Sequence, residues 1–247
     1  MRYFIEFSYF GKAYHGWQRQ PNAISVQQVL EEGLSTILRS NLTVIGAGRT
    51  DAGVHAKQMF AHFDVAQPLE IGVLHHKLNS YLPKDIAIHE IFEVNDDAHA
   101  RFDAVSRTYE YWIVFNKNPF YTDFAYHLKQ EVSVAKMNEA AKVLFDYTDF
   151  KCFSKSNTDV KTYHCKIMQA SWEMNGDTLV FTVKADRFLR NMVRAIVGTL
   201  LTVGMDKATV ADVKKIIESK NRSKAGVSVP AQGLYLTKVE YPSAIKK

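Results

Sequence analysis

Thr43-Val44-Ile45-Gly46-Ala47-Gly48-Arg49-Thr50-Asp51-Ala52-Gly53-Val54-His55-Ala56 begins as a short apolar run and becomes a glycine-rich loop. From Arg49 to His55 the loop carries one cation, one hydroxyl, one carboxylate and one imidazole. Glycine permits φ > 0 and lets another backbone or a ligand come close. Gly46, Gly48 and Gly53 therefore shape the chain around Asp51, with Arg49 beside it. The same composition suits a plain strand-to-strand turn in which Asp51 closes a local hydrogen bond. Phosphate loops are excluded. Gly46-x-Gly48 has no third glycine at position 51, and no G-x-x-x-x-G-K-[ST] occurs in the chain.

Working outward, Arg2 to Phe10 alternates, with Tyr3, Ile5, Phe7 and Tyr9 on one face, which predicts a strand. Ser25-Val26-Gln27-Gln28 reads as a capping box. It opens a helix to about Arg39 whose apolar face is Val26, Val29, Leu30, Leu34, Ile37 and Leu38. Met59, Ala61, Phe63 and Val65 alternate as a further strand. Ile71, Leu74, Leu78 and Leu82 predict a second helix stopped by Pro83, and Ile86 to Val94 reads as a strand. With the run before Asp51, the order is β-α-β-β-α-β. That order predicts an α+β fold with a mostly antiparallel sheet and helices on one face.

The theme repeats after a join near Ala104, so the expected halves are 1–104 and 105–247. Val105 to Phe115 is a strand with Arg107, Tyr109, Tyr111, Ile113 and Phe115 on one face. Val134, Met137, Ala141, Leu144 and Phe145 form a helix after Ser133. Strands near Ile167–Glu173 and Thr178–Lys184 flank Asn175-Gly176, a hairpin signal. Phe188 to Val203 is expected to be helical, Thr209 to Asp212 is a capping box, and Leu234 to Tyr241 is a closing strand.

Composition narrows the function. Hydrophobic residues make up 47%, which excludes a disordered chain. A net charge of +5 is compatible with a nucleic-acid partner. Two cysteines without a C-x-x-C argue against structural zinc or a disulfide framework and for a cytoplasmic protein. Glu6 interrupts the apolar start, and no apolar run approaches the roughly 20 residues of a membrane span. No membrane partner is therefore expected. His55 and His62 lack metal-ligand spacing. A glycosidase would need two positioned carboxylates, and this loop offers one.

Three further features bear on chemistry. Gly11 to Gln20 mixes Lys12 and Arg19 with Tyr14, Trp17 and amides such as Gln18. It is either a polar connection pinned by Trp17 or a loop that contacts RNA. Arg187, Arg190 and Arg194, spaced i, i+3, i+7, make one stripe on the expected helix. A stripe of this kind is usually solvated. Arg194, however, sits between Met192-Val193 and Ile196-Val197, where a charge needs a partner, and Asp51 is a candidate. Tyr109 is either part of a tyrosine row packing the sheet or a ring that stacks on a base.

Gly48 to Ala56 resembles the signature of the tRNA pseudouridine synthase A family. Gly16-Trp17-Gln18-Arg19-Gln20, Ala100-Arg101-Phe102-Asp103-Ala104, Arg107-Thr108-Tyr109-Glu110-Tyr111, Phe188-Leu189 with Met192-Val193-Arg194, and Gly233-Leu234-Tyr235-Leu236 resemble it too, in order along the chain. The resemblance implies two similar halves with a catalytic cleft between them, and a homodimer. It implies isomerisation of uridine to pseudouridine at positions 38, 39 and 40 of the tRNA anticodon stem-loop, without cofactor or metal. Asp51 matches the family's catalytic aspartate and Tyr109 its substrate-contacting tyrosine. Arg194 falls where the family's arginine pairs with that aspartate. The expected substrate contacts are Tyr109, Arg49, Arg107, Arg19, Gln18 and His55. Asp186-Arg187 departs from the neutral residues that relatives often carry before Phe188. The competing classes are a non-catalytic RNA-binding module and a hydrolase with Asp51 as nucleophile.

Overall fold

The structure, a computed structural model, describes residues 1–156 and 160–247. The chain forms two units: Met1–Ser106 with Leu236–Lys247, and Arg107–Tyr235. Among the described residues, no helix is long and apolar enough to cross a membrane.

In the first unit, alternation makes β1 (Arg2–Tyr9) a central strand, antiparallel to both β3 (His55–Asp64) and β4 (Ile86–Val94). The run before Asp51 is shorter than its apolar sequence suggests. Only β2 (Ile45–Gly46) pairs, with Ile45 opposite His62 and Gly46 opposite Ala61. In β3 the expected face of Met59, Ala61 and Phe63 is buried, but so is the other. Phe60 meets Phe92 and Tyr241, and His62 meets Phe4. α1 (Val26–Leu38) starts at Ser25, whose hydroxyl accepts the Gln28 N–H at 3.3 Å. The Gln28 amide bonds Glu32 instead of returning to Ser25, so only half of the expected capping box forms. α2 (Ile71–Tyr81) ends where Pro83 forces Leu82 into an extended conformation.

His62 links this fold to pH. It is buried, and its Nδ1 accepts the Ala100 N–H at 3.1 Å, so the ring is neutral. Burial, reinforced by Arg2, pushes its pKa from 6.5 down to about 4. Between those values the unfolded chain takes up a proton that the fold excludes. Stability is therefore full above the window and falls as pH drops through it. The urea midpoint is expected to fall between about pH 7 and pH 4.5, and His62→Gln should flatten that slope. Equal slopes for the two proteins would contradict this assignment.

The second unit runs β5 (Ser106–Val114), β6 (Tyr126–His127), α3 (Val134–Lys142), β7 (Ile167–Asn175), β8 (Thr178–Ala185), α4 (Met192–Gly204), α5 (Val210–Glu218) and β9 (Leu234–Glu240). From Leu236 the chain belongs to the first unit. β8 lies antiparallel between β5 and β7, and β6 is parallel to the end of β5. Asn175 pairs with Thr178, so the hairpin turn is Gly176-Asp177, one residue beyond the predicted one. α3 tightens into a 3-10 turn at Val143–Asp146, which buries Leu144 but exposes Phe145. At α5 the reciprocal Thr209–Asp212 box forms as expected.

The main correction concerns α4. It starts at Met192 rather than Phe188, so Arg187 and Arg190 lie outside it and the three-arginine stripe does not exist. Long-range bonds hold the preceding segment as a loop. The Asp186 carboxylate accepts the N–H groups of Lys166 and Arg187, and the Arg190 carbonyl accepts that of Lys155. Asn191 then sits at φ 66, a left-handed conformation that no helix continues. α4 itself is buried nearly all round, as the core helix of its unit.

Candidate active site

The Asp51 loop is built by its backbone. The Asp51 carbonyl accepts the Val54 N–H at 3.1 Å, with Gly53 at φ +78 in the third position of the turn. The turn is thus closed by the main chain, which answers the local-turn reading of the carboxylate. The Gly11–Gln20 loop clasps this turn. The Trp17 N–H donates to the Thr50 carbonyl and the Gly53 N–H to the Tyr14 carbonyl, each at 3.2 Å. Thr50 Oγ1 and the Tyr9 hydroxyl share a 2.8 Å hydrogen bond. Asp51 is half-buried and Arg49 exposed.

Gly16 makes the clasp possible. It sits at φ +87, and a Cβ there would run into the Thr50 carbonyl oxygen. Gly48, by contrast, has open space around a built Cβ. Gly16→Ala is expected to cost about 2–4 kcal/mol, from backbone strain plus displaced main chain, whereas Gly48→Ala should stay within about 1 kcal/mol. Urea denaturation of both variants checks this. Equal stabilities would show that the clasp does not hold the loop.

Trp17 is buried against Phe7, so the aromatic of this loop is an anchor. Gln18 and Arg19 are exposed, and Arg19 Nη1 reaches Glu31 at 3.2 Å. The buried Glu31 also accepts from the Gln27 amide and the Val44 N–H, so its charge is met by three donors. His55, expected to touch substrate, is 1% exposed. Its Nδ1 accepts the Gly11 N–H at 2.9 Å and its ring stacks on Phe10 at 4.3 Å. Those contacts make it a support for the loop rather than a surface group.

The second unit carries Tyr109, Arg107 and Arg194. The tyrosine row divides in two. Tyr111 is fully buried with its hydroxyl on the Pro230 carbonyl at 2.8 Å, and burial raises its pKa strongly. Tyr109 retains 9% exposure, with Phe188 edge-on at 5.0 Å. Arg107 Nη1 donates to the Asp186 carbonyl at 2.8 Å and so tethers the loop before α4.

Arg194 lies in the first turn of α4, not mid-helix as expected, and is half-buried. Its Nε donates to the Val229 carbonyl at 2.7 Å, while the Val229 N–H donates to the Arg194 carbonyl at 3.3 Å. This double link needs the Gly226–Pro230 segment pressed against α4. At Gly198 a Cβ would run into the Val227 carbonyl oxygen. Ser228 is gripped by Asn191 at 2.6 Å and Arg222 at 2.7 Å. Ser228, Val229 and Phe188 were not singled out from the sequence as site supports, because no periodic signal marks a segment that crosses a helix. Both cysteines are buried, which pushes their thiols up to about 12 and makes them poor nucleophiles.

Comparison with known proteins decides the family. The family profile described as tRNA pseudouridine synthase matches residues 6–103 and 140–242. The chain belongs to this tRNA pseudouridine synthase family. It is 55% identical to tRNA pseudouridine synthase A of Bacteroides fragilis over 246 residues, covering 99% of this chain and 98% of that protein. It is 53% identical to the Parabacteroides distasonis protein of the same name, covering 99% and 97%. It is 39% identical to tRNA pseudouridine synthase A 2 of Clostridium perfringens, covering 96% and 98%. The enzyme class is therefore that of a tRNA pseudouridine synthase, an isomerase. Asp51 and Arg194 fall inside the matched segments, whereas Tyr109 and Arg107 fall in the stretch between them.

Proposed function

We propose that this pseudouridine synthase acts at positions 38, 39 and 40 of the tRNA anticodon stem-loop, with Asp51 as its nucleophile. The observation that carries the reading is the Asp51 loop, a carboxylate on a turn that its own main chain closes and the Gly11–Gln20 loop clasps. A base inside a stem is out of reach, so the target uridine leaves the stack first. Asp51 then bonds to the nucleotide covalently and the N1–C1′ bond breaks. The uracil turns, C5 bonds to C1′, the C5 proton leaves to solvent and N1 takes up a proton. The rearrangement is redox-neutral and isomeric, and the reading includes neither cofactor nor metal.

The other residues take supporting roles in this reading. Tyr109 holds the base and Arg194 pairs with Asp51. Arg49 and Arg19 meet backbone phosphates, with Gln18 beside them. Arg107 and His55 act through the loops they tether. The two halves, 1–104 and 105–247, are variants of one α/β unit with the catalytic cleft between them, and the protein works as a cytoplasmic homodimer.

Carbodiimide labelling with primer extension on tRNA transcripts tests the positions. Stops at 38, 39 and 40 that require the enzyme are expected. Stops confined to another arm of the tRNA would overturn the assignment.

A further inference from the structure

We propose that a cationic cleft in the second unit binds the phosphate backbone of the RNA substrate, apart from the residues assigned to the target nucleotide. This rests on the reading that tRNA is the substrate. The cleft has a volume of about 650 Å³. Lys151, Lys155, Lys220 and Arg222 line it, together with Tyr163 and serine and asparagine side chains, and no carboxylate is among the lining groups. Asp149, behind the rim, pairs with Lys220 at 2.8 Å. Cations gathered in one concavity repel one another, and a polyanion relieves that repulsion.

The frame of the cleft is fixed by bonds that leave the lysines on its surface. One wall is the 3-10 turn Lys151–Phe153, the other the 3-10 turn Arg222–Lys224, capped by Asn221. Arg222 is engaged by the Gly226 carbonyl at 3.1 Å and by Ser228, so it serves the frame. Lys151 and Lys155 are exposed, and Lys151 Nζ stands 5.4 Å from the centre of the Tyr163 ring. Ammonium groups, hydroxyl donors and a flat ring together suit a phosphodiester with its ribose or base.

The cleft and Arg194 share one frame. The Lys155 N–H donates to the Arg190 carbonyl at 3.0 Å. Arg222 and Asn191 both hold Ser228, next to the Val229 that fixes Arg194. Backbone that neighbours a nucleotide engaged by Arg194 is therefore the polyanion this cleft would receive. An acidic peptide would match the charge but leave the ring and the hydroxyl donors without a purpose.

The test is tRNA affinity as a function of salt. It compares wild type, Lys151→Gln, the Lys151→Gln/Lys155→Gln double variant and a control, Lys142→Gln/Lys214→Gln, whose lysines lie elsewhere on the same unit. The double variant is expected to bind about tenfold more weakly at physiological salt, and its slope of log Kd against log salt should fall by about one to two. The control should match wild type. Affinity and slope equal to the control in a double variant with an unchanged unfolding midpoint would overturn the proposal. If the double variant is misfolded, the exposed single variant decides, with a loss of about one in slope expected. Polyglutamate that competes as well as tRNA would assign the cleft to an acidic protein and overturn it. Wild type that binds tRNA through these lysines but forms no pseudouridine would refute the proposed function and leave the cleft standing. Wild type that binds no tRNA refutes both.

Discussion

Asp51→Asn is expected to reduce pseudouridine formation by at least about 10⁴-fold while tRNA binding stays within about threefold. The amide keeps the size of the carboxylate and its place on the turn, because the main chain closes that turn through the Asp51 carbonyl and the Gly53 geometry. It removes the negative charge and the nucleophilic oxygen. Single-turnover kinetics with saturating enzyme separates the two quantities. Weakened binding with unchanged turnover would make Asp51 an RNA contact. Turnover that persists would remove it from the chemistry.

Arg194→Met is expected to lower kcat by about 10²–10³-fold with a small change in stability. The thioether follows the aliphatic stem of arginine along α4, so packing is retained. One charge-assisted hydrogen bond, from Nε to the Val229 carbonyl, is lost from a half-buried site. That loss is worth about 1–3 kcal/mol, or a shift in Tm of several degrees. Arg194→Lys restores the positive charge without the planar fork and should recover part of kcat. A kcat near wild type in the Met variant would show that Arg194 only secures the Gly226–Pro230 segment. Equal losses in the Met and Lys variants would show that geometry rather than charge matters.

Local signals carried much of the fold. Ser133 and Thr209 each cap a helix where their sequence context says they should, and Pro83 stops α2. Alternation placed β1, β4, β5, β7 and β8 to within two residues of their ends. The Asp51 loop stood out because glycines cluster around a lone carboxylate. The loop before α4 was not legible. Phe188, Leu189, Met192 and Val193 continue the helical pattern, and only the bonds to Lys166 and Lys155, distant in sequence, break it. The burial of His55 was hidden as well. Its partner, the Gly11 N–H, lies 44 residues away, and a histidine after a functional loop has the same letters whether it faces solvent or supports the turn. Gly198 reads as a flaw in a helix until the carbonyl of Val227 is found against it. In each case the missing information is a contact between distant segments, which local periodicity does not encode.

The most direct test of the central claim is tritium release from tRNA transcripts labelled at uridine carbon 5. A bond from C5 to C1′ forms only if the C5 hydrogen departs, so release counts isomerisation events. Wild-type protein is expected to release tritium up to the number of target uridines per tRNA and then stop, with Asp51→Asn releasing none. No release by folded wild-type protein that binds the same tRNA would contradict the account.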